Sequence, residues 1–193
     1  MKKLILSFVS FALISAGAHA NTHTFNPYVG FDVGLDIMDY TTKTGMDDIY
    51  YSGVINVGAR IGQNFGAELF FSHSSSTELE FVYAYESLIH EVYFMSYGFD
   101  IFGYYSVSND FDFFTSFGVA NYKTYIETDY ISPSLSTSDK VSENNVTTSI
   151  GIGLMYTFPT DNISILAQYK YIPINNELFG TISEFSAGIR MNF

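Results

Sequence analysis

The sequence predicts an all-β fold, a closed antiparallel barrel of eight strands, and three observations support this prediction. Apolar and polar residues alternate in eight segments, which is the period of strands with two unlike faces. The connectors alternate between tight turns and longer polar stretches, as expected for strands joined in sequential hairpins. The chain has no Cys, so disulfides cannot hold the fold, and closure of the sheet is the remaining way to pair every strand edge.

The residues before the first strand have the features of a signal peptide. Two lysines at positions 2 and 3 precede an apolar run over residues 4–14, and Ala18-His19-Ala20 follows it. The run is too short to cross a membrane as a helix, and the small residues suit a signal peptidase. We therefore expect residues 1–20 to be a signal peptide cleaved near Ala20, with residues 21–193 forming one barrel domain.

The first four strand segments each place a large apolar face opposite a small or polar one. In the first segment, Phe31 and Leu35 alternate with Asp32 and several glycines. Phe70, in the third segment, interrupts the small and polar face. In chain order the four segments are residues 28–37, 51–61, 65–73 and 89–105.

The last four segments repeat the same division. Ile150 and Ile152 alternate with Gly151 and Gly153, so a bulky apolar face again lies opposite a small or polar one. These segments are residues 112–125, 146–158, 162–172 and 181–193. The even number of strands is typical of barrels built from hairpins.

Three connectors are tight and four are long. The tight connectors, rich in Asn, Asp, Gly and Pro, are residues 62–64, 108–110 and 159–161. The long connectors are roughly residues 38–50, 74–88, 126–145 and 173–180. Connector 74–88 itself alternates, which predicts a protruding ribbon, whereas connector 126–145 is rich in Ser, Thr and Asp, which predicts a mobile loop. Both are candidate sites for a host or surface ligand.

The apolar face is predicted to point outward into lipid. It continues for nine or more residues per segment, which is the length of a tilted membrane strand, and its Phe and Tyr residues gather near the segment ends, as in interfacial girdles. We therefore predict a transmembrane barrel with side chains filling its interior and no open pore. A secreted soluble barrel that binds a ligand inside an apolar interior remains the alternative.

The opposite face carries charges that strand register can pair. If residues 173–181 form a loop, Lys170 lies opposite Glu184, and around the 62–64 turn Arg60 lies diagonal to Glu68. Opposite charges on neighbouring strands stabilise a sheet. These two pairs are therefore predicted to lie in the barrel lumen.

The chain is strongly acidic, with a formal charge of −12. The loss of Lys2 and Lys3 with the signal peptide would make it two units more negative. No basic patch is present, so nucleic acid is not an expected partner. Acidic loop residues such as Asp47 and Asp48 are interpreted as solvated surface groups.

The last eight residues, Ser186-Ala187-Gly188-Ile189-Arg190-Met191-Asn192-Phe193, alternate to the final Phe. With the opening Pro27-Tyr28-Val29-Gly30, this ending resembles the small eight-stranded outer-membrane barrels of the OmpA, OmpX and opacity-protein type, a porin-type architecture. The resemblance implies an outer-membrane location in a Gram-negative-type bacterium, with lipid and lipopolysaccharide as partners. It also implies that the barrel-assembly machinery reads Ser186, Gly188, Met191 and Phe193. No peptidoglycan-binding domain is expected, so a tethering role is not implied.

One short segment, Phe71-Ser72-His73-Ser74-Ser75, is a candidate for catalysis. On a strand, His73 and Ser75 share a face, where an imidazole could activate a hydroxyl; the pair is similar to the His-x-Ser element of outer-membrane lipid A deacylases. Three neighbouring serines are more simply the start of a polar loop. We expect no catalytic residue, cofactor or metal, and a structural or interaction role: envelope integrity, adhesion or surface shielding. A lipid A-modifying acyl hydrolase is the enzymatic alternative.

Overall fold

A computed structural model describes residues 25–41, 48–83, 86–132, 135–159, 162–174 and 179–193, and these residues form a single antiparallel sheet. No helix among them is long and apolar enough to cross a membrane. Nine strands are described: β1 (Phe25–Tyr40), β2 (Ile49–Ile61), β3 (Phe65–Ser74), β4 (Thr77–Tyr83), β5 (Glu86–Ser106), β6 (Phe111–Ser132), β7 (Leu135–Thr157), β8 (Ile163–Pro173) and β9 (Phe179–Asn192).

The strands form a ring of eight members, which confirms the predicted architecture. Strands that follow each other in the chain pair, except β3 with β4, and β1 pairs with β9 to close the ring. The third member is divided, because β3 pairs with both β2 and β5 whereas β4 pairs with β5 only. His73 lies opposite Met95, so an unbroken register would place Thr77 opposite Glu91, but Thr77 lies opposite Val92. The register therefore shifts by one residue at the break around residues 75–76.

The sheet is polar inside and apolar outside. Buried side chains on the inner face include Asp32, Glu68, Asp100 and Arg190, whereas large apolar side chains on the outer face are exposed, for example Ile55 at 63%. Soluble proteins rarely expose apolar surface on this scale, and a lipid-facing barrel requires it. The outward orientation of the apolar face is therefore the one expected for a membrane barrel.

Two ends of the ring differ in their connections. At the end near residues 62–64, 107–110 and 158–159, here called the short-turn end, backbone hydrogen bonds join consecutive strands at their last residues: the Val107 N–H donates to Phe111 O at 2.9 Å, and the Phe158 N–H donates to Ile163 O at 2.9 Å. Gly62 has a φ of 64°, a left-handed conformation that a residue with a side chain seldom adopts. The opposite end is called the long-loop end.

Strands β5, β6 and β7 are longer than a membrane requires. They contain 21, 22 and 23 residues, and about ten are enough to cross the hydrocarbon. At the long-loop end they continue with β4 as a four-stranded sheet formed by residues 77–83, 86–95, 122–132 and 135–148, here called the wall. Among the described residues, the wall extends from one side of the ring, because β8 ends at Pro173 and β2 begins at Ile49.

The wall confirms one loop prediction and corrects another. The predicted ribbon in connector 74–88 is present as the pairing of β4 with β5. The predicted mobile loop over residues 126–145 is wrong, because β6 and β7 pair without interruption as far as Ser132 opposite Leu135. Backbone hydrogen bonds to a neighbouring strand hold this segment extended despite its polar composition. The predicted signal peptide, residues 1–20, lies outside the described residues.

Candidate functional site

A network of ion pairs fills the middle of the lumen. Arg190 donates through both terminal nitrogens to the carboxylate of Asp32, and its Nη2 lies 3.1 Å from Glu68 Oε2. Asn56 Nδ2 donates to Asp32 Oδ2 at 2.9 Å. In the next layer Lys170 Nζ donates to Asp100 Oδ2 at 2.7 Å. All of these side chains are almost completely buried, so most of their polar atoms are satisfied by one another. Among them, Asn56 Oδ1 and Asp100 Oδ1 have no hydrogen-bond partner in the described residues.

The predicted lumen charges are all on the inner face, but their ion-pair partners differ from the predicted ones. The register places Lys170 opposite Glu184 and Glu68 diagonal to Arg60, as expected. Lys170 nevertheless pairs with Asp100 and Glu68 with Arg190. Because the lumen is narrow, side chains reach strands three places away around the ring.

Arg60 pairs with Asp112 at the short-turn end instead of with Glu68. Its Nη1 and Nη2 lie 2.6 and 3.2 Å from the Asp112 carboxylate oxygens, and its guanidinium lies 4.5 Å from the centre of the Tyr104 ring. The Arg60 side chain is 20% exposed, compared with 5% for Arg190. The two arginine pairs therefore differ in their access to water.

Two apolar clusters, which the sequence did not predict, lie above and below the charged layers. Towards the long-loop end, the inner face carries a cluster here called the outer apolar layer: Met38, Tyr50, Val54, Phe70, Val92, Phe94, Ala120, Tyr122, Ile172, Ile174 and Ile182. Tyr50 and Ile172 in this layer are fully buried. The lumen is therefore not uniformly polar, and this layer separates the charges from the long-loop end.

The second cluster lines a cavity at the short-turn end. Phe102, Tyr104, Phe114, Met155 and Leu166 pack together on the inner face. They surround a cavity of about 370 Å³, which extends from Arg60 at the mouth to Glu68 and Arg190 at its floor. The Tyr28 hydroxyl, also in the lining, donates to Glu68 Oε2 at 3.0 Å. The cavity combines an aromatic side wall with a charged floor.

The outer face of the wall carries a cluster of aromatic and charged side chains, here called the outer-face cluster: Tyr93, Tyr125, Lys123, Lys140 and Glu127. The two tyrosine rings stack with centroids 4.9 Å apart, and the Lys123 and Lys140 ammonium groups each lie 4.7 Å from the Tyr125 centroid. Lys140 donates to Glu127, which lowers the pKa of Glu127 below its ordinary value and raises that of Lys140.

The catalytic candidates His73 and Ser75 lie at the long-loop end of the third ring member. The His73 ring is exposed and stacks on Tyr93, with centroids 5.8 Å apart. Ser75 Oγ accepts the Tyr51 N–H at 3.0 Å. Ser74, between them, points inward and donates to Ser75 O at 2.8 Å. The described contacts of His73 and Ser75 therefore go to other residues and not to each other.

The proposed assembly residues lie on both faces of β9. Ser186 is buried on the lumen side, whereas Met191 is exposed on the outer face. The Phe193 N–H donates to Pro27 O at 2.9 Å, and the ring is 69% exposed. The Phe193 side chain therefore contributes little buried area to the folded barrel.

The wall is predominantly acidic. It carries two lysines, both in the outer-face cluster, and eight carboxylates: Glu78, Glu80, Glu86, Glu91, Glu127, Asp129, Asp139 and Glu143. Register places Glu78 opposite Glu91, and like charges on opposed residues repel. Within the described residues no group of three His, Cys, Asp or Glu side chains is arranged to hold a metal ion.

Comparison with known proteins gives a family match and several similar structures. Residues 6–193 match the family described as outer membrane protein beta-barrel domain. None of the curated proteins compared with the chain matches it.

The similar structures share the fold at low sequence identity. Neisserial surface protein A is 13% identical with a TM-score of 0.61, over 86% of this chain and 97% of that one. A major outer membrane protein from Thermus thermophilus is 11% identical with a TM-score of 0.56, over 86% and 99%. Ail of Yersinia pestis, the attachment invasion locus protein, in complex with the heparin analogue sucrose octasulfate, is 14% identical with a TM-score of 0.53, over 89% and 100%.

Proposed function

The chain belongs to the outer membrane β-barrel family, and from this premise we propose that it is a non-conducting, non-enzymatic surface protein whose acidic wall contacts a partner outside the cell. The four-stranded wall is the observation that carries this proposal. A barrel that only spans the membrane needs about ten residues per strand, whereas β5, β6 and β7 continue well beyond that length. The additional sheet is an interaction surface.

The charge of the wall favours a basic partner. Its carboxylates outnumber its lysines by eight to two, and complementary charge increases the rate and specificity of association. The Ail structure holds a sulfated heparin analogue, but an acidic wall would repel such an anion. We therefore propose contact with a cationic segment of a host or surface protein, through residues 77–83 and 135–148.

The outer-face cluster supports contact with the lipid leaflet on the long-loop side. Counted from the short-turn end, about ten residues of β5 and β6 cross the hydrocarbon, so Tyr93, Lys123 and Tyr125 lie just beyond it. Tyrosine rings prefer this interface, and the two lysines can approach anionic headgroups. Lipopolysaccharide, the glycolipid of the outer leaflet, is the partner proposed for this height of the barrel.

The lumen supports the absence of a pore. The outer apolar layer, with Tyr50 and Ile172 fully buried, lies across the path beyond the ion pairs. A purified barrel in a planar bilayer is expected to show no stepwise conductance.

The absence of catalysis is a separate part of the proposal. His73 stacks on Tyr93 and Ser75 accepts a backbone N–H, so neither is poised to activate the other. Lipid A incubated with the protein should keep its acyl composition, with the same mass spectrum for the His73→Ala variant. Loss of an acyl chain that His73→Ala prevents would establish the enzymatic alternative instead.

Protease treatment of intact cells tests the proposed topology. Cleavage should occur within residues 74–88 or 126–145, and the turns at 62–64 and 108–110 should stay intact until the cells are opened. Cleavage of those turns in intact cells would reverse the orientation and remove the wall from the cell surface.

Binding of a fluorescent oligolysine peptide tests the partner class. The full mature chain, in nanodiscs of neutral lipid, should bind the peptide at low salt and release it at high salt. The Glu78→Gln/Glu80→Gln variant should bind it more weakly, whereas Asp110→Asn, at the short-turn end, should not change binding. Equal binding by both variants would refute the wall as the contact surface.

A further inference from the structure

The cavity at the short-turn end has the features of a ligand site that is independent of the wall. Its volume of about 370 Å³ lies within the range of small-molecule sites, and an apolar cavity of about 150 Å³ already accommodates benzene. Tyr28, Phe102, Tyr104 and Phe114 supply aromatic rings, and Met155 lies among them. The cavity is therefore suited to a ligand with a compact apolar group.

The charges of the lumen determine the sign of the ligand. Inside the ring, below the wall, the described residues place six carboxylates (Asp32, Asp36, Glu68, Asp100, Asp112 and Glu184) with three cations (Arg60, Lys170 and Arg190). Asp36 Oδ2 and Asp100 Oδ1 are buried without a hydrogen-bond partner among these residues. Buried negative charge in excess attracts a cation and disfavours an anion.

The floor of the cavity repeats this imbalance locally. Arg190 is shared between two carboxylates, Asp32 and Glu68, and Glu68 is the carboxylate that lines the cavity. Arg60, at the mouth, is already bound to Asp112 and to the Gln63 carbonyl. Two arginines and one carboxylate line the cavity, but with Asp32 and Asp112 these groups carry three negative charges and two positive ones, which leaves one carboxylate uncompensated.

We infer that this cavity binds a small organic cation, an ammonium group on a compact apolar or aromatic body, with Glu68 as its counter-ion. The aromatic rings beside Glu68 favour such a ligand because the negative face of an aromatic ring attracts an ammonium group. The outer apolar layer closes the other side, so the ligand enters and leaves through the short-turn mouth, which the proposed topology directs to the periplasm.

Methyl NMR of the full mature chain in nanodiscs of neutral lipid tests this site with benzyltrimethylammonium as the probe. Met155 lies in the cavity, Met38 in the outer apolar layer and Met191 on the lipid-facing surface. The probe should shift the Met155 methyl resonance saturably and leave those of Met38 and Met191 in place. Benzyl alcohol and benzenesulfonate, which are neutral and anionic, should bind at least about tenfold more weakly.

A charge-removing variant identifies the counter-ion. Glu68→Gln keeps the shape of the side chain and should weaken cation binding by about tenfold or more. Glu184→Gln removes a lumen carboxylate that does not line the cavity, so it should have a much smaller effect. Two results with the unmodified protein would each overturn the proposal. One is the absence of a saturable shift of the Met155 methyl resonance, and the other is equal affinity for the three probes. Unchanged affinity in folded Glu68→Gln also overturns it.

Discussion

Replacing Arg190 by Met should destabilise the barrel more than the loss of either other lumen cation in the described part of the chain. Arg190 is 5% exposed and holds Asp32 and Glu68, whose side chains are 7% and 5% exposed. The Met side chain fills similar space but leaves two carboxylates buried without their cation. Breaking a buried ion pair from one side costs about 3–5 kcal/mol, so we expect a loss of that size in the free energy of unfolding.

Arg60→Met is the matched control, because it removes the same side chain from a more hydrated pair. The Arg60 side chain is 20% exposed, and partly solvated ion pairs contribute about 1 kcal/mol. Urea unfolding in phospholipid vesicles, followed by the gel mobility of unheated samples, measures both variants. Adding Asp32→Asn and Glu68→Gln to Arg190→Met should recover stability, because the uncompensated charges are then removed.

Equal losses in the two arginine variants would refute this reasoning, as would a loss below about 1 kcal/mol for Arg190→Met. Either result would mean that the middle of the lumen is hydrated enough to screen its charges. The ion pairs would then fill space in the lumen without contributing substantially to the free energy of unfolding of the barrel.

Three further predictions test other parts of the fold. Gly188→Ala should lower the free energy of unfolding by about 1–3 kcal/mol, because an added Cβ would overlap the Asp32 carboxylate. Gly53→Ala is the control and should leave urea unfolding unchanged, because its Cβ would lie 3.9 Å from the Phe31 ring. Equal effects of the two substitutions would argue against a tightly filled lumen. Deleting Phe193 should reduce the amount of barrel inserted in cells much more than it lowers the urea midpoint of purified protein, and equal losses would make it an ordinary interfacial residue. Planar-bilayer recordings should show no conductance, and steps in the unmodified protein would contradict closure by the outer apolar layer.

The alternation of residues was sufficient to predict the ring and the orientation of its faces. Side chains with a period of two reveal which residues share a face, and the Lys170–Glu184 register followed from the loop length alone. Ion-pair partners could not be found in this way. Arg190 and Glu68 lie on β9 and β3, and only ring closure brings these strands to the same layer of the lumen.

Aromatic residues inside the lumen were missed because they make both faces of a strand apolar. Phe70 was recognised as an exception, but Phe94, Phe102 and Phe114 also point inward. An apolar residue in a membrane strand can face lipid or fill the lumen, and the sequence pattern does not distinguish the two. Their inward positions create the cavity and the outer apolar layer, which were therefore beyond sequence reasoning.

The wall between residues 126 and 145 was missed for the opposite reason. Beyond the hydrocarbon a strand needs no lipid-facing apolar residues, so the signal by which strands were identified ends there. Its Ser, Thr and Asp residues then resemble a loop, although the backbone pairing from Tyr122–Asn145 to Ser132–Leu135 keeps it extended.

The central claim is that the apolar face meets lipid and the charged face lines a closed lumen. Because the chain has no Cys, spin labels can be attached to single cysteines introduced at each position from 185 to 191 in β9. In a reconstituted bilayer, accessibility to oxygen should be highest at the outward positions 185, 187, 189 and 191 and low at 186, 188 and 190. Maxima at the even-numbered positions, or protein that remains soluble without lipid, would contradict the account.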